Sequence, residues 1–276
     1  MSTWLITGCS TGLGRALAEE VVAAGHSVVV TARDRAAVAD LAAPAPERVL
    51  PLALDVTDAG QVATAVRQAA ERFGGVDVLV NNAGYGYRAA VEEGEEDAVR
   101  RLFETNFFGA VAMIKAVLPG MRARRSGAIV NVSSIGAQIT PVGSGYYSAS
   151  KAALEGMSGS LRGELQPLGI SVVVVEPGGF RTDFAGRSLT QSATPIADYA
   201  DTAGKRRKEV DTAHGTQRGN PVEAARAMIR VVESPEPPAL LLLGSDALAG
   251  YRGVLDARRA EADAWAELST GTDFPG

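Results

Sequence analysis

Residues 3–14 read TWLITGCSTGLG, a short apolar run that leads directly into three glycines. The helix-forming sequence RALAEEVVAAG follows at residues 15–25, so Gly8, Gly12 and Gly14 fall between a strand and a helix. Glycine permits a tight turn and close approach to the backbone, and the free N–H groups of a helix N-terminus attract phosphate. The spacing GxxxGxG differs from the common GxGxxG, but its position between strand and helix predicts a dinucleotide site.

Short aliphatic runs recur along the chain and alternate with amphipathic, alanine-rich segments. The predicted strands are Trp4–Thr7, Val28–Thr31, Val49–Leu54, Val76–Val80, Ala128–Val132, Ser171–Glu176 and Ala239–Leu243. Runs that are apolar throughout, such as VVVV at residues 172–175, are typical of strands covered on both faces. Alternating strands and helices predict an α/β fold, a doubly wound three-layer sandwich formed by one domain over residues 1–276.

Composition excludes several classes of function. The chain has 276 residues, 46% of them hydrophobic, and a formal net charge of -5, which opposes a nucleic-acid-binding surface. No apolar run approaches the roughly 20 residues that cross a bilayer, and the start MSTWLITG lacks the features of a secretory signal, so we expect a cytoplasmic protein without a membrane partner. Cys9, His26 and His214 are the only cysteine and histidines, so we expect neither a disulfide framework nor a metal site.

The second predicted strand ends in TARD at residues 31–34. A carboxylate at this place binds the ribose 2′-hydroxyl of NAD, whereas an arginine accommodates the 2′-phosphate of NADP. Arg33 and Asp34 both fall in the relevant window, and spacing alone does not separate them. A solvated turn is the third interpretation.

The sequence YYSASK at residues 146–151 places Tyr147 and Lys151 four residues apart, on one face of a predicted helix. A free tyrosine has a pKa of about 10, and lowering it by three units requires roughly 4 kcal/mol of phenolate stabilisation. A nearby ammonium has the right sign. In isolation the pair would be read as an exposed helical pair, but Ser134 lies thirteen residues earlier at a strand end, where it could donate to a substrate carbonyl. Ser133 is the competing serine.

Together these motifs resemble the short-chain dehydrogenase/reductase family. The matches, in the family's order over residues 3–184, are TGCSTGLG, DVTD at Asp55–Asp58, NNAG at Asn81–Gly84, TNFFG around Asn106, SSIG around Ser134, YSASK, and EPGGFRTDF at Glu176–Phe184. The resemblance implies a Rossmann-like fold with a seven-stranded parallel sheet in the order 3-2-1-4-5-6-7. It also favours Ser134 over Ser133.

The resemblance further implies roles for the matching residues. Tyr147 would be the general acid in reduction, Lys151 would bind the nicotinamide ribose and lower the tyrosine pKa, Ser134 would orient the carbonyl, and Asn106 would hold a water linking Lys151 to solvent. The implied cofactor-binding residues are Gly8, Ser10, Thr11, Gly12, Leu13, Gly14, Arg33, Asp55, Val56, Asn82, Ala83, Gly84, Tyr147, Lys151, Pro177, Gly178 and Thr182.

The cofactor preference follows from one position. Members that use NAD carry an acid seven residues after the glycine that precedes the second strand, and counting from Gly25 this position is Ala32. Arg33 follows it, as in members that prefer NADP, so we predict NADP(H). The loop has Cys9, Ser10 and Thr11 where many such members carry a basic residue, so the sequence also allows use of NAD(H).

The predicted function is therefore hydride transfer between NADP(H) and a carbonyl or secondary alcohol, as a ketone or aldehyde reductase, in a homodimer or homotetramer. A redox-sensing regulator without turnover, or an epimerase or dehydratase, is the alternative.

The substrate side of the predicted site has few signals. The segment 185–220 shows no clear strand and is interpreted as a substrate lid, with the charge run KRRKE at Lys205–Glu209 as its solvated face or as an attractor for an acidic substrate. His214 is read as a surface residue or a substrate contact. Candidates for an apolar or aromatic substrate wall are Tyr85, Tyr87, Phe184 and Tyr199.

Overall fold

The structure, a computed structural model, describes residues 1–186, 188–213 and 215–274. Its centre is a parallel sheet of seven strands: β1 (Thr3–Ile6), β2 (Ser27–Ala32), β3 (Val49–Ala53), β4 (Val78–Asn81), β5 (Gly127–Val132), β6 (Ile170–Pro177) and β7 (Leu240–Leu243). The order across the sheet is β3-β2-β1-β4-β5-β6-β7. Both the predicted α/β class and the predicted strand order are confirmed.

Helices cover both faces of this sheet. In chain order they are α1 (Gly12–Ala23), α2 (Ala59–Phe73), α3 (Glu96–Phe103), α4 (Gly109–Arg124), α5 (Gly136–Ile139), α6 (Gly145–Leu165), α7 (Ala203–Ala213), α8 (Pro221–Val232), α9 (Ser245–Ala264) and α10 (Ala266–Thr270). Successive strand residues point to opposite faces, so Ile6 packs in the core beneath α1 and α8, while Leu5 packs in the core beneath α2, α4 and α6. These two cores make the three-layer sandwich.

A long helical run extends from Glu96 to Arg124, through α3, a π-helical turn at Glu104–Phe108, and α4. Its 29 residues contain an 18-residue window of mean hydropathy 1.3, so by length and composition alone it could span a membrane. Core helices pass the same test, and Met113 and Val117 of α4 are buried against the sheet. The run is therefore weak support for a membrane span.

A chain of buried hydrogen bonds fixes α6 against the sheet. Asn81 Nδ2 at the end of β4 donates to Asn131 Oδ1 on β5 at 2.8 Å, and Asn131 Nδ2 donates to Ser158 Oγ on α6 at 2.8 Å. Because these groups are shielded from water, breaking one bond would leave an unsatisfied polar group. The helix that carries Tyr147 and Lys151 is thus held in register with two strand ends.

The segment predicted as an irregular lid contains more structure than its sequence indicates. The short strand Leu189–Gln191 pairs in parallel with Gly86–Arg88, and α7 follows. The expectation of no strand here was wrong, because three residues are too few to show a periodic pattern. The lid also includes Arg187 and His214, which lie outside the described residues, as do the last two positions of the predicted domain, 275–276.

The charge run in α7 is only partly a solvated face. Arg207 Nη2 donates to Glu93 Oε1 at 3.0 Å, and the Glu93 side chain is 0% exposed. The carboxylate of Glu93 also accepts from the backbone N–H groups of Ala90 and Ile196. This buried ion pair connects α7 to the body of the domain.

Candidate active site

A cavity of about 1160 Å³ opens at the carboxyl ends of the parallel strands, where open α/β sheets place their ligands. Most predicted site residues line it. These are Gly8, Ser10, Thr11, Gly12, Leu13, Arg33, Asp55, Val56, Asn82, Ala83, Gly84, Ser134, Tyr147, Lys151, Pro177, Gly178 and Thr182. The predicted residues Gly14 and Asn106 lie behind the wall, where they pack against residues that line it.

The glycine-rich turn forms one end of the cavity. Gly8 has φ +73° and Gly12 has φ +64°, a backbone conformation that favours glycine. Thr11 is the N-cap of α1, and its side chain makes no capping hydrogen bond. The first N–H groups of the helix therefore lack a side-chain acceptor, and they lie at the cavity beside Thr11, Gly12 and Leu13. This arrangement fits a phosphate group.

Asn82 fixes the shape of this turn. Its Nδ2 donates to the carbonyl oxygens of Thr7 at 2.9 Å and Gly8 at 3.0 Å. A Cβ atom at Gly14 would come within 2.3 Å of that Nδ2 and 2.5 Å of Gly8 O. Gly14 therefore allows α1 to begin close against the turn, which is a packing requirement.

The structure separates Arg33 from Asp34. Arg33 is exposed and lines the cavity, together with Ala32 and Asp55. Asp34 does not line it; its Oδ1 accepts from the N–H of Ala36 at 2.9 Å and caps the following 3-10 turn. The side chain available to a group bound at the end of β2 is thus a guanidinium.

Asp55 and Val56, which follow the carboxyl end of β3, complete the nucleotide end of the cavity. The Asp55 carboxylate accepts from the N–H and the hydroxyl of Thr57 at 2.9 and 2.7 Å, which fixes its orientation in the wall. Val56 beside it is buried and contributes an apolar surface.

Tyr147 and Lys151 share one face of α6, as the spacing predicted. Both are buried and line the same cavity, and Lys151 Nζ lies 5.9 Å from the centre of the Tyr147 ring. Lys151 Nζ donates to the carbonyl oxygen of Val132 at the end of β5, at 2.8 Å. The two side chains can therefore act on one bound molecule.

The two serines after β5 point to different partners. Ser134 Oγ accepts from the N–H of Gly136 at 3.0 Å, and a Cβ at Gly136 would lie 3.2 Å from this Oγ and 3.6 Å from Cε1 of Tyr147. Ser133 Oγ instead donates to the carboxylate of Glu155. The geometry places Ser134 beside the ring of Tyr147, whereas Ser133 is engaged with Glu155.

The pKa values of Tyr147 and Lys151 are shifted from their ordinary values in opposite directions. Burial raises the pKa of Tyr147, while the hydrogen bond from Ser134 and the charge of Arg88 lower it. Burial lowers the pKa of Lys151 to about 8. In the protein alone, the groups that favour the phenolate are Ser134 and Arg88, whereas the sequence singled out the lysine.

Asn106 lies in the π-helical turn between α3 and α4 and is buried. Its Oδ1 accepts from the N–H of Tyr85 at 3.0 Å, and its Nδ2 donates to Tyr85 O at 2.9 Å and Ser150 Oγ at 3.1 Å. A Cβ at Gly84 would lie 3.0 Å from Asn106 Oδ1 and 3.3 Å from Lys151 Nζ. Gly84 thus allows the asparagine and the lysine to lie close together.

Sequence reasoning missed Arg88. Its guanidinium donates to the Ser144 hydroxyl at the N-cap of α6, and its Nε is buried without a hydrogen-bond partner among the described residues. Burial lowers the pKa of Arg88 to about 10. No motif contains this arginine, and it reaches the catalytic helix because the short strand Gly86–Arg88 lies beside the start of α6, where Ala89 N–H donates to Gly143 O at 3.1 Å.

Three carboxyl groups were also missed. Glu95 accepts from Tyr87 and from Ser192 and connects the lid to the start of α3. Half-buried Glu155 and fully buried Glu176 form a pair behind Lys151, in which both accept from Gln138. Glu155 could have been found from its spacing of four residues after Lys151, which puts both on one helix face.

Aromatic side chains form the wall opposite the glycine-rich turn. Tyr85, Tyr87 and Phe184 line the cavity, and the Phe184 ring centre lies 5.9 Å from that of Tyr147. Tyr199 does not line it; its hydroxyl donates to Glu92 at 2.6 Å. Of the four aromatic candidates, three reach the cavity.

Cys9 is enclosed in the core and does not line the cavity. Cys9 is fully buried, its Sγ donates to Ile6 O at 3.2 Å, and burial raises its pKa to about 12. In the part of the chain that the structure describes, no group of three histidine, cysteine or acidic side chains is arranged to hold a metal ion.

The fold, the glycine-rich turn and the Ser–Tyr–Lys arrangement define a nucleotide-dependent dehydrogenase or reductase. A family model described as short chain dehydrogenase matches residues 2–193. The chain belongs to the short-chain dehydrogenase/reductase family, and it is an enzyme that acts on CH–OH or C=O groups.

Known proteins agree with this assignment. The chain is 40% identical to an oxidoreductase, BOA17, of Botryotinia fuckeliana over 96% of this chain and 97% of that one. It is 38% identical to a 3-ketodihydrosphingosine reductase of Bacteroides thetaiotaomicron over 85% and 84%. A solved short-chain dehydrogenase from Streptomyces avermitilis superimposes with a TM-score of 0.92 at 43% identity, over 99% of this chain and 100% of that one.

The cofactor class is also supported by a solved structure. An alcohol dehydrogenase from the archaeon Thermococcus sibiricus, solved in complex with 5-hydroxy-NADP, superimposes with a TM-score of 0.71 at 25% identity, over 88% of this chain and 95% of that one. A protein of this fold thus binds a nicotinamide dinucleotide.

Proposed function

We propose that this protein is an NADP(H)-dependent reductase of ketones or aldehydes. One observation carries the proposal: Ser134, Tyr147 and Lys151 line the same cavity as an uncapped helix N-terminus. The reacting carbonyl and the nicotinamide would both be reached from these side chains.

The preference for NADP(H) rests on Arg33. Its guanidinium lines the cavity at the end of β2, whereas the carboxylate of Asp34 is engaged in capping. A guanidinium forms charge-assisted, often bidentate, hydrogen bonds with phosphate. The residues that would hold the pyrophosphate are Ser10, Thr11, Gly12 and Leu13, and Asp55 and Val56 would meet the adenine.

The chain's own groups would perform the proton transfer. When bound, the reduced nicotinamide supplies hydride to the carbonyl carbon. Ser134 would donate a hydrogen bond to the carbonyl oxygen, and Tyr147 would donate its proton to that oxygen as negative charge develops. Lys151 would bind the nicotinamide ribose, and its ammonium would stabilise the phenolate that remains.

The body of the substrate would lie against the aromatic wall. Tyr85, Tyr87 and Phe184 give this side of the cavity an apolar surface, with Thr190 and Gln191 of the lid strand at its edge. A carbonyl compound with an apolar or aromatic body fits these surroundings better than a sugar nucleotide. Hydride transfer with net reduction is thus favoured over an epimerase or dehydratase reaction.

The proposal is tested by a substrate screen. The purified protein is mixed with NADPH and a panel of aldehydes and ketones, including a long-chain β-keto compound, and the absorbance of NADPH is followed beside that of NADH. Turnover with at least one carbonyl, faster with NADPH, supports the proposal. Tight NADPH binding without turnover across the panel would favour a regulator instead.

The quaternary state is part of the proposal. Members of the family commonly pair through the helix that carries the tyrosine, here α6, and its predecessor. We propose a homodimer or homotetramer, which sedimentation equilibrium would distinguish from a monomer.

A further inference from the structure

Behind Lys151, two carboxyl groups share one amide. Gln138 Nε2 donates to Glu155 Oε2 at 2.6 Å and to Glu176 Oε1 at 3.0 Å. Because both oxygens accept from the same nitrogen, the two carboxyl groups are close neighbours, and each shifts the pKa of the other. Glu155 is on α6, and Glu176 is at the end of β6, immediately before Pro177 of the cavity wall.

This contact needs a proton. Two ionised carboxylates in contact repel each other, and one of them keeps its proton, as in other carboxylate pairs. Glu176 is 0% exposed, and its Oε2 has no hydrogen-bond partner among the described residues. A proton on Glu176 would remove the negative charge from this buried group, whose Oε2 has no donor, and would end the repulsion between the two carboxylates.

The surroundings assign the charge to Glu155. This side chain is only half-buried, and it accepts from the Ser133 hydroxyl as well as from Gln138. Glu155 lies one helical turn after Lys151, and the positive charge of the Lys151 ammonium lowers the pKa of Glu155. Burial and the neighbouring carboxylate raise the pKa of Glu176, consistent with this division.

The charged groups that face the pair come from two elements. Among the described residues, Glu155 faces the ammonium of Lys151 and the carboxyl group of Glu176, and Glu176 faces the carboxyl group of Glu155. Gln138 of α5 and Ser133 contribute neutral hydrogen-bond donors. Glu155 is the only carboxylate of the described residues whose charge acts on Lys151. The pair is therefore placed as the counter-ion of the buried lysine.

We infer that Glu155 and Glu176 hold one proton and one negative charge at neutral pH, with the proton on Glu176, and that the charge on Glu155 keeps Lys151 protonated. Glu155 is then a positioning residue for the proposed reaction. Glu176 remains neutral, so the pair carries a single negative charge, on Glu155. The effect on catalysis rests on the proposed function, whereas the protonation of the pair does not.

Infrared spectroscopy tests the proton directly, without substrate. At pH 6 to 7, exposed acids are ionised, so the C=O stretching band of a protonated carboxyl group reports a buried acid. We expect this band in the wild-type protein and in Glu155→Gln, and its loss in Glu176→Gln. Absence of the band in the wild type, or its loss only in Glu155→Gln, would overturn the inference.

Kinetics test the role of the charge. Carbonyl reduction requires a protonated tyrosine and lysine, so kcat/KM for a carbonyl such as benzaldehyde should fall at high pH. Glu155→Gln removes a negative charge and should move this limb to lower pH by about one unit. Glu176→Gln replaces one neutral group with another and should leave the limb in place. Glu164→Gln, an exposed carboxylate on the same helix, is the matched control.

The outcomes are separable. Equal shifts in Glu155→Gln and Glu176→Gln would mean that both carboxyls are ionised, and no shift in either would mean that the pair does not act on Lys151; both results overturn the inference. Failure of every variant and of the wild type to reduce any carbonyl would count against the proposed function. The infrared result would then still decide the state of the pair.

Discussion

The two ends of the cavity are built from different parts of the chain. At the nucleotide end, the wall is mostly backbone: Gly8 and Gly12 in left-handed conformations, and an uncapped helix start. At the catalytic end, the wall is side chains, and Tyr147 and Lys151 are both buried with displaced pKa values. The first end works through the absence of side-chain atoms, and the second through ionisable groups held out of water.

This difference determines what a substitution can do. A change at the glycine-rich turn of the nucleotide end alters shape, so it should affect both binding and stability, whereas a change at Arg33 alters a charge and should affect binding alone. A change at the catalytic end alters a charge or a proton, so it should affect rate and pH dependence while cofactor binding persists. Each of the following variants separates the two ends on that basis.

The largest expected effect is that of Tyr147→Phe. Removing the proton donor should lower kcat by about 100- to 10,000-fold, because general acid catalysis is lost. The affinity for NADPH, measured by fluorescence titration, should stay within a few-fold. Tyr146→Phe is the control, because its hydroxyl donates to Val91 O at 2.6 Å outside this cavity. Undiminished turnover in Tyr147→Phe would contradict the assigned role.

Gly14→Ala should damage the nucleotide end as a shape change. The new Cβ would lie 2.5 Å from the backbone oxygen of Gly8 and 2.3 Å from Asn82 Nδ2. We expect unfolding free energy to fall by about 1–3 kcal/mol in urea titrations, with weaker NADPH binding. Gly163→Ala on α6, where nothing lies within 4 Å, should be neutral or slightly stabilising. Equal behaviour of the two variants would show that close packing at the turn is unimportant.

Arg33→Ala tests the one charged residue assigned to cofactor preference. Loss of a charge-assisted contact with the 2′-phosphate should weaken NADPH binding by roughly 10- to 100-fold, with little change for NADH. Asp34→Asn keeps the cap at Ala36 and should leave the ratio of the two affinities unchanged. If the ratio instead responds to Asp34→Asn and not to Arg33→Ala, the preference for NADP(H) is wrong.

Glu176→Gln gives the smallest effect and the clearest pH signature. Burial raises the folded-state pKa of Glu176 above the ordinary value of about 4.3, so its contribution to stability is full below that value and is lost as pH rises. Glutamine does not titrate, so the stability of the variant does not fall for this reason as the pH rises. Relative to the wild type it should therefore gain about 1–2 kcal/mol in unfolding free energy between pH 4.5 and pH 8.

Urea titrations at both pH values measure this gain. Glu164→Gln, which removes an exposed carboxylate, should show little change between them. A constant difference between Glu176→Gln and the wild type would mean that Glu176 is ionised throughout.

Much of the fold and of the nucleotide end was readable from the sequence. Two patterns involve only neighbouring residues and are therefore visible in the sequence. They are the strands that are apolar on both faces, such as β6, and the glycines between β1 and α1. Tyr147 and Lys151 were readable because four residues make one helical turn. The short strand Leu189–Gln191, by contrast, is too brief to carry a period.

The sequence by itself determined the layer order, the phosphate turn and the shared face of Tyr147 and Lys151, because each follows from backbone geometry over a few residues. Tertiary structure alone decided that the Asp34 carboxylate caps the following turn, that Arg88 reaches the catalytic helix, and that Glu155 lies beside Glu176. These depend on burial and on contacts between distant segments. Protonation follows the local environment of a group, and that environment exists only once the chain has folded.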